Sequence, residues 1–258
     1  MTVKEIYSFI DSFAPFASQE AFDNAGLLVG ATDTPVTGVM FAMDVTDRVL
    51  DEAMAKGANL IVSHHPMMFS ARKNMTETDC EGRLLCRMIR EHMALIAAHT
   101  NLDRAPGGIN DVLAQVCGLT DVRGSDFIRV GELPAGTTTE SLLKALSVGL
   151  NTTIRVMGQM PADRQLHRMV VGGGSASDFW ADAVAEGADV FLTGEMKHHH
   201  ALALADAGVL ALEAGHFATE EPGIFALANA LQKHFVDVQC KVSIYKSQSG
   251  AYAMPVDC

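Results

Sequence analysis

The feature that most constrains the fold of this chain is a succession of sequence patterns near its beginning: a strand, a helix, a glycine and a second strand. An apolar run at residues 38–43 is followed by a helical pattern at 46–56, by Gly57, and by a second apolar run at 59–63. Two strands joined through a helix form a βαβ unit, and such units build largely parallel sheets. The sequence therefore predicts an α/β fold.

Parts of this unit recur later in the chain. Residues 53–63 (AMAKGANLIVS) are echoed by 183–193 (AVAEGADVFLT), and residues 95–107 are echoed by 212–223. In each copy of the second pair, a strand pattern ends on a histidine, an acid follows four residues later, and Pro-Gly then opens an apolar helix. Duplication of one α/β half and chance similarity of two strand-to-helix turns both explain this, and the shared order favours duplication. We therefore predict two related α/β lobes with mixed, largely parallel sheets.

The remaining patterns complete this outline. Residues 119–136 are rich in Gly, Thr and Asp and are interpreted as a connection. The expected first lobe comprises residues 1–122 together with about 215–258, and the expected second lobe comprises about 123–214. Further helices are predicted at 3–16, 81–92, 108–116 and 139–149, and further strands at 94–98, 153–157 and 167–171.

Composition excludes several classes of protein. The chain has 258 residues, 48% of them hydrophobic and 19% charged, so it can bury a sizeable core. Its net charge of −12 argues against nucleic-acid binding and against docking on an anionic membrane. No basic segment followed by an apolar run opens the chain and no run of 18 apolar residues occurs, so neither a signal peptide nor a membrane span is expected. Five cysteines without CxxC spacing predict a reducing, cytoplasmic location.

Histidine is unevenly distributed, since eight of the ten histidines fall in short clusters. His64 and His65 follow a predicted strand directly. In open α/β sheets, bound molecules lie at the carboxyl ends of the strands, which is where these two histidines are expected. Side chains of adjacent strand residues point to opposite sides, so each of these two histidines is better suited to serve one of two neighbouring ions.

Two further pairs, His99 with Asp103 and His216 with Glu220, follow the echoed strands. Imidazole and carboxylate ligands together suit Zn, Mn, Fe or Co, and the lack of thiolate ligands argues against a cysteine-rich structural zinc site. A dinuclear centre keeps open positions for water and commonly shares a bridging carboxylate between ions about 3.5–4 Å apart. The set with the ligand number of such a centre is His64, His65, Asp103, His216 and Glu220.

Two other segments each have a functional and a structural interpretation. Lys197 and His198, in a run that contains three histidines, either line a cleft as substrate-binding or acid–base groups or belong to a solvated loop. The glycines at 172–174 follow a strand and precede a helix, so their N–H groups could hold a phosphate. A glycine turn with Ser177 as helix cap is the favoured interpretation there, because neither GxGxxG nor a P-loop lysine is present.

Six segments carry recognisable motifs: FDNAGLLVG at 22–30, MDVT at 43–46, SHHP at 63–66, HTNLD at 99–103, TGEMKHH at 193–199 and GHFATE at 215–220. Together they resemble the GTP cyclohydrolase 1 type 2 family of YbgI-like dinuclear metal proteins. The resemblance spans the whole chain and fits the shorter members that lack an inserted middle domain. One departure is His200, because family members often carry Asp after the paired histidines of the TGE segment.

The resemblance implies a homohexameric ring whose metal sites face inward, with two divalent ions per subunit (Zn, Fe, Mn or Co). One ion would bind His65, Asp103 and Glu220. The other would bind His64, His216 and Glu220, so that Glu220 bridges the two.

The resemblance also implies a reaction, the hydrolytic opening of the guanine imidazole ring of GTP with loss of formate. A metal-activated water would attack a cyclic amidine C–N bond of a nucleotide or related heterocycle. His99 or His198 would move the proton, and Lys197 and Arg104 would contact phosphates. The alternative is a metalloprotein that stores or delivers metal, or serves as a scaffold, without turnover. The extra acid–base groups favour the enzyme, because storage needs none.

Overall fold

The structure is a computed structural model that describes residues 1–124, 126–158 and 161–249. The polypeptide divides into two compact units, one built from Met1–Ala105 and the segment that begins at Ile224, the other from Pro106–Gly223. Compactness alone does not delimit folding domains, so the lobe limits expected after residue 122 and near residue 215 stay a prediction. Residues 250–258 of the expected first lobe lie outside the described residues.

Strands and helices alternate along most of the chain. The strands are β1 (Gly26–Val29), β2 (Gly38–Ala42), β3 (Leu60–Ser63), β4 (Ala94–Ala97), β5 (Thr120–Arg123), β6 (Arg129–Glu132), β7 (Arg155–Met157), β8 (Arg168–Gly172), β9 (Val190–Thr193), β10 (Leu210–Glu213) and β11 (Ser243–Lys246). The helices are α1 (Val3–Phe13), α2 (Asp47–Ala55), α3 (Cys80–Arg90), α4 (Thr100–Arg104), α5 (Ile109–Val116), α6 (Thr139–Gly149), α7 (Trp180–Ala185), α8 (His198–Asp206) and α9 (His216–Asp237).

The sheet of the first unit has the strand order β1-β4-β3-β2-β11. Strands β2, β3, β4 and β11 run parallel, and β1 joins the edge antiparallel to β4. Leu50 of α2 belongs to the same buried cluster as Met40 and Leu95 of the sheet. Helix α2 begins where it does because the hydroxyl of Thr46 accepts a hydrogen bond from the N–H of Val49.

The sheet of the second unit has the strand order β5-β6-β8-β9-β10-β7. Strands β8, β9 and β10 run parallel, and the outer strands pair antiparallel. Both faces are covered, because Phe191 of β9 clusters with Leu204 of α8 whereas Leu192 clusters with Leu113 of α5 and Leu142 of α6. Burial on both faces explains the nearly continuous apolar runs of these strands.

The predicted α/β class with two mixed sheets is confirmed. In each unit three consecutive parallel strands lie side by side in chain order, β2-β3-β4 in one and β8-β9-β10 in the other. An antiparallel strand flanks the third strand in both cases, β1 beside β4 and β7 beside β10. This common arrangement favours duplication over chance similarity.

Two expectations about individual segments are wrong. Residues 119–136 are not a plain connection, because they contain β5 and β6, which pair antiparallel. The sequence TDVR of β5 is exposed throughout, so it has no apolar period to reveal it. Pro222 does not open a helix, because α9 begins at His216 and carries Pro222 inside.

Four of the five cysteines lie within the described residues, and all four (Cys80, Cys86, Cys117 and Cys240) are free thiols. Cys117 is buried, whereas Cys80 is exposed. The fifth, Cys258, lies outside the described residues. Across the described ranges, none of the helices is both long and apolar enough to cross a bilayer.

Candidate metal centre

In the first unit, histidines gather at the ends of two neighbouring strands. His64 and His65 follow β3, and His99 follows β4, which is the parallel neighbour of β3. The three ring centroids lie 5.0 to 5.6 Å apart. One ring nitrogen from each of the three lies within 4.8 Å of the others, so this group could hold a metal ion. The first unit therefore brings together the strand-end histidines expected from the sequence.

His64 is completely buried, and its ring orientation is fixed. Its Nδ1 lies 2.8 Å from the carbonyl oxygen of Ala98. Because a carbonyl only accepts hydrogen bonds, Nδ1 carries the proton and Nε2 becomes the basic nitrogen of the neutral ring. That Nε2 lies 3.6 Å from Oδ1 of Asp103, the buried carboxylate of α4. His64 and Asp103 thus present a nitrogen and an oxygen ligand side by side.

His65 and His99 are each oriented by a carboxylate. Nδ1 of His65 lies 2.8 Å from Oδ1 of Asp44, and Nδ1 of His99 lies 2.8 Å from Oδ1 of Asp23. Asp23 also accepts a hydrogen bond of 3.0 Å from the N–H of Thr100. Burial alone would raise the pKa of Asp23, but the hydrogen bonds from His99 and Thr100 outweigh it and hold that pKa well below its usual range.

The second unit holds the other two predicted ligands on the first turns of α9. His216 is the first residue of this helix and Glu220 lies four residues later, so both side chains share one helix face. Their Nε2 and Oε2 atoms are 3.0 Å apart. Nδ1 of His216 lies 3.1 Å from Oε1 of Glu195, which follows β9. A hydrogen bond from the hydroxyl of Ser175 and the contact with His216 lower the pKa of Glu195.

The glycine loop after β8 closes against Glu220. Gly174 has a φ of +58°, and a Cβ placed on it would come within 2.0 Å of Oε1 of Glu220. Its N–H donates to the hydroxyl of Thr219, at 3.0 Å, and the N–H of Gly173 donates to Oδ1 of Asn110, at 2.8 Å. Both N–H groups therefore already donate hydrogen bonds to side chains of the protein, which argues against the phosphate-loop interpretation.

The cap predicted for this loop is also wrong. Ser177 lies inside a short 3₁₀ helix, Ala176–Phe179, that has no side-chain cap. Its hydroxyl instead accepts a hydrogen bond from the N–H of Lys197, at 3.4 Å.

The histidine run after β9 begins a helix and is not a loop. Lys197 is the N-cap residue of α8, and its Nζ pairs with both carboxylate oxygens of Asp178, at 2.7 and 2.8 Å. His198 is exposed, whereas His200 is buried and its Nδ1 lies 3.3 Å from the hydroxyl of Ser177. The substrate and acid–base roles of Lys197 and His198 stay predictions.

The basic residues near the first-unit histidines have acidic partners. Arg104 donates to the carbonyl of Ser18, at 2.6 Å, and pairs with Glu20. Arg72 pairs with Asp79 and Glu81, each at 2.8 Å. Arg104, which the resemblance suggested as a phosphate contact, is therefore engaged with protein acceptors, as is Arg72.

Taken unit by unit, the donors fit a divalent metal. Histidines that bind metals usually have the second ring nitrogen held by a carboxylate or carbonyl, which fixes tautomer and orientation. Nδ1 is held in this way in all four strand-end histidines, and the two predicted carboxylate ligands are both buried. Nitrogen and oxygen donors without thiolate suit Zn, Mn, Fe or Co.

Sequence reasoning assigned no role to the three carboxylates that orient histidines. Asp23, Asp44 and Glu195 lie in three of the motif segments that carry the family resemblance. Their spacing along the chain does not predict which histidine each carboxylate contacts, because Asp23 is 76 residues from His99 and Asp44 is 21 residues from His65. An acid inside a short motif segment is the signal that could have found them.

Known proteins resemble this chain along most of its length. A curated Clostridium acetobutylicum protein named GTP cyclohydrolase 1 type 2 homolog is 30% identical over 243 residues, which cover 90% of each chain. A Staphylococcus aureus hypothetical protein of known crystal structure superposes with a TM-score of 0.91 at 27% identity, over 98% of each chain. The protein ybgI, at 24% identity and a TM-score of 0.87, covers 98% of this chain and has 100% of its own length covered, and it shares the fold.

The family model described as Duf34/NIF3 (NGG1p interacting factor 3) matches residues 1–250. The match extends through both compact units and includes all six motif segments. The resemblance inferred from those motifs is thereby confirmed, and the chain belongs to the Duf34/NIF3 family.

Proposed function

We propose that this protein is a dinuclear divalent-metal-dependent hydrolase that acts on cyclic amidine C–N bonds of a nucleotide or related heterocycle. The name GTP cyclohydrolase 1 type 2 homolog, carried by its curated relatives, supports this reaction class. The observation that carries the proposal is that each of the three histidines proposed as ligands, His64, His65 and His216, is held at Nδ1 by a carboxylate or carbonyl oxygen. Such an arrangement is expected of metal-binding imidazoles.

In this proposal one ion, which could be Zn, Fe, Mn or Co, is held by His65, Asp103 and Glu220. The second is held by His64, His216 and Glu220, so Glu220 is the shared ligand. Bound divalent ions would lower the pKa of a water molecule and polarise the substrate.

The remaining roles fall to residues with suitable chemistry beside the ligands. His99, whose Nδ1 is held by Asp23, is proposed to move the proton, since imidazole suits proton transfer near neutral pH. His198, exposed at the start of α8, is the second candidate for that role. Lys197 is proposed to contact substrate phosphates in exchange for its ion pair with Asp178.

Metal content tests the ligand assignment. Elemental analysis of Glu220→Gln should show loss of both ions, because the shared carboxylate loses its charge. Asp103→Asn should lose one ion preferentially. Asp33→Asn, a change at an exposed acid, is the matched control and should keep both. Two ions retained by Glu220→Gln would refute the shared-ligand assignment.

Turnover separates the hydrolase from a metal-storage or scaffold protein. The metal-loaded protein should release formate from GTP or convert another nucleotide in a broad substrate screen, and His99→Gln should slow turnover while it keeps the ions. Tight binding of two ions without any turnover would instead favour the non-catalytic metalloprotein.

The proposal includes a homohexameric ring in the cytoplasm. Support for a reducing compartment comes from the four free thiols of the described residues. Six copies of a 27.6 kDa chain would have a mass of about 166 kDa, which light scattering measures directly. A stable monomer at micromolar concentration would refute the ring.

A further inference from the structure

Two phenylalanine side chains of the first unit lie on the surface instead of in the core. Phe22 is 64% exposed and Phe69 is 51% exposed. Their ring centroids are only 6.2 Å apart, with an angle of 37° between the ring planes. A single exposed apolar residue is ordinary, but two adjacent aromatic rings form a patch that favours contact with another apolar or aromatic surface.

The chain segments that carry these rings are fastened to each other. The side-chain amide of Asn24 donates to the carbonyl oxygen of Met68, at 2.7 Å. Asn24 lies two residues after Phe22, and Met68 directly precedes Phe69, so one hydrogen bond ties both segments together. The carboxylate of Asp23, next to Phe22, is buried and bonded to His99 and Thr100. The ring pair is therefore presented from anchored backbone, which lowers the entropy cost of binding a ligand.

The pair borders the histidine cluster. The ring of Phe69 meets that of His99 at 76°, with centroids 6.0 Å apart, and the ring of His99 is in turn 5.6 Å from that of His65. A planar ring system stacked on Phe69, with Phe22 at its side, would thus lie next to His99. Stacking on aromatic side chains is a general way to hold a nucleobase, because every base has a π face.

We infer that Phe22 and Phe69 form a stacking surface for the heteroaromatic ring of the substrate. The inference rests on the proposed function and adds to it the residues that select a planar heterocycle. In this arrangement the aromatic pair binds the base, and the carboxylate-oriented histidines lie beside the base. The phenylalanines supply affinity for the base and take no part in metal binding.

Isothermal titration calorimetry tests this with two probes that differ only by the base, guanosine 5′-monophosphate and ribose 5-phosphate. The wild-type protein should bind the nucleotide about 5- to 150-fold more tightly than the sugar phosphate, the range expected for one stacked base. The double variant Phe22→Ala/Phe69→Ala should lose this difference and keep its affinity for ribose 5-phosphate. A Phe22→Tyr/Phe69→Tyr variant should retain the difference, because tyrosine also stacks.

Two controls keep the outcomes distinct. Val148→Ala removes an exposed apolar side chain from α6, outside the histidine cluster, and should bind both probes as the wild type does. Titrations of metal-free and metal-loaded protein keep the test separate from the proposed hydrolase. A wild type that binds none of Zn, Fe, Mn and Co would refute the hydrolase and would still report on the aromatic pair.

Equal affinity of the wild type for both probes would overturn the inference, as would unchanged nucleotide affinity in the double alanine variant. If that variant keeps its nucleotide affinity and has a smaller molar mass by light scattering, the rings belong to a contact between copies of the chain and the inference is also overturned.

Discussion

Gly174 approaches Glu220 so closely that a side chain at this glycine would meet the Glu220 carboxylate. A Cβ at position 174 would lie 2.0 Å from Oε1 of Glu220, and φ is +58°, a conformation that side-chain-bearing residues rarely adopt. Gly174→Ala should therefore displace the Glu220 carboxylate and weaken metal binding about tenfold or more, in the range seen when the surroundings of a ligand are altered. Competition with a coloured chelator would measure the affinity.

The matched control for this change is Gly118→Ala. Gly118 also has a positive φ, +72°, but a Cβ there would meet nothing within 4 Å. Both variants should lose about 1–2 kcal/mol of unfolding free energy through backbone strain, and only Gly174→Ala should lose metal. Equal metal affinity in the two variants would show that the loop does not position Glu220.

The carboxylate of Asp44 should matter for metal affinity although it is not a predicted ligand. It holds Nδ1 of His65 at 2.8 Å. Asp44→Asn keeps the shape of the side chain and removes its charge, so the ring loses basicity and orientation. Metal affinity should fall about 10- to 100-fold. Asp33→Asn should leave it unchanged, and the same affinity in both variants would refute the role of Asp44.

Most of the fold could be predicted because the parallel strands are buried and apolar. The runs at 38–43, 59–63 and 94–98 became β2, β3 and β4 with end shifts of one residue. Strand β5 could not be predicted in the same way, since its exposed residues follow no apolar pattern. Strand pairing rather than local sequence makes it a strand.

The sequence echo aligned His99 with His216, and the sheet registers show an offset of one residue. The N–H of Ala98 donates to Ser63 and that of Ala214 donates to Thr193, at the ends of corresponding strands. Counted from these bonds, His99 is the N-cap of α4, whereas His216 is the first residue of α9. Hydrogen-bond register is set by tertiary structure, and an ungapped alignment of two sequence segments cannot detect a register shift of one residue.

The strand-end ligands were predictable from residue type and position, but their orientation was not. His64 depends on the carbonyl of Ala98, and His99 depends on the carboxylate of Asp23, 76 residues away in the chain. Such partners meet only after the strands and turns have packed. Periodicity along the chain carries no information about them.

The thiol of Cys117 should make stability depend on pH in alkaline solution. Burial raises its pKa to about 12, from an ordinary value of 9.0. Above pH 9 the thiol ionises in the unfolded chain but not in the folded chain, so its contribution to stability is complete below pH 9 and falls as pH rises toward 12. The slope should be about 1.4 kcal/mol per pH unit for this one group.

Urea unfolding of wild type and Cys117→Ala between pH 8 and 11 isolates this contribution, because the other titrating groups are common to both proteins. The difference in unfolding free energy should shrink as pH rises. In the native protein, iodoacetamide at pH 8 should modify exposed Cys80 well before Cys117. A pH-independent difference together with equal alkylation rates would contradict this.

Metal removal should lower the melting temperature. The ligands are organised only in the folded chain, so an ion that binds at one hundred times its dissociation constant adds about 2.7 kcal/mol to the unfolding free energy. For a chain of this size that corresponds to a shift of about 5–10 °C. Calorimetry of zinc-loaded protein before and after EDTA treatment should show this decrease.

The triple variant His64→Ala/His65→Ala/Glu220→Ala should show no shift with EDTA, whatever its own melting temperature. Asp33→Asn should respond as the wild type does. If the triple variant is too unstable to melt cooperatively, Asp103→Asn takes its place and should show a reduced shift. An EDTA effect of equal size in the wild type and the ligand variants would mean that the stabilising ion binds elsewhere.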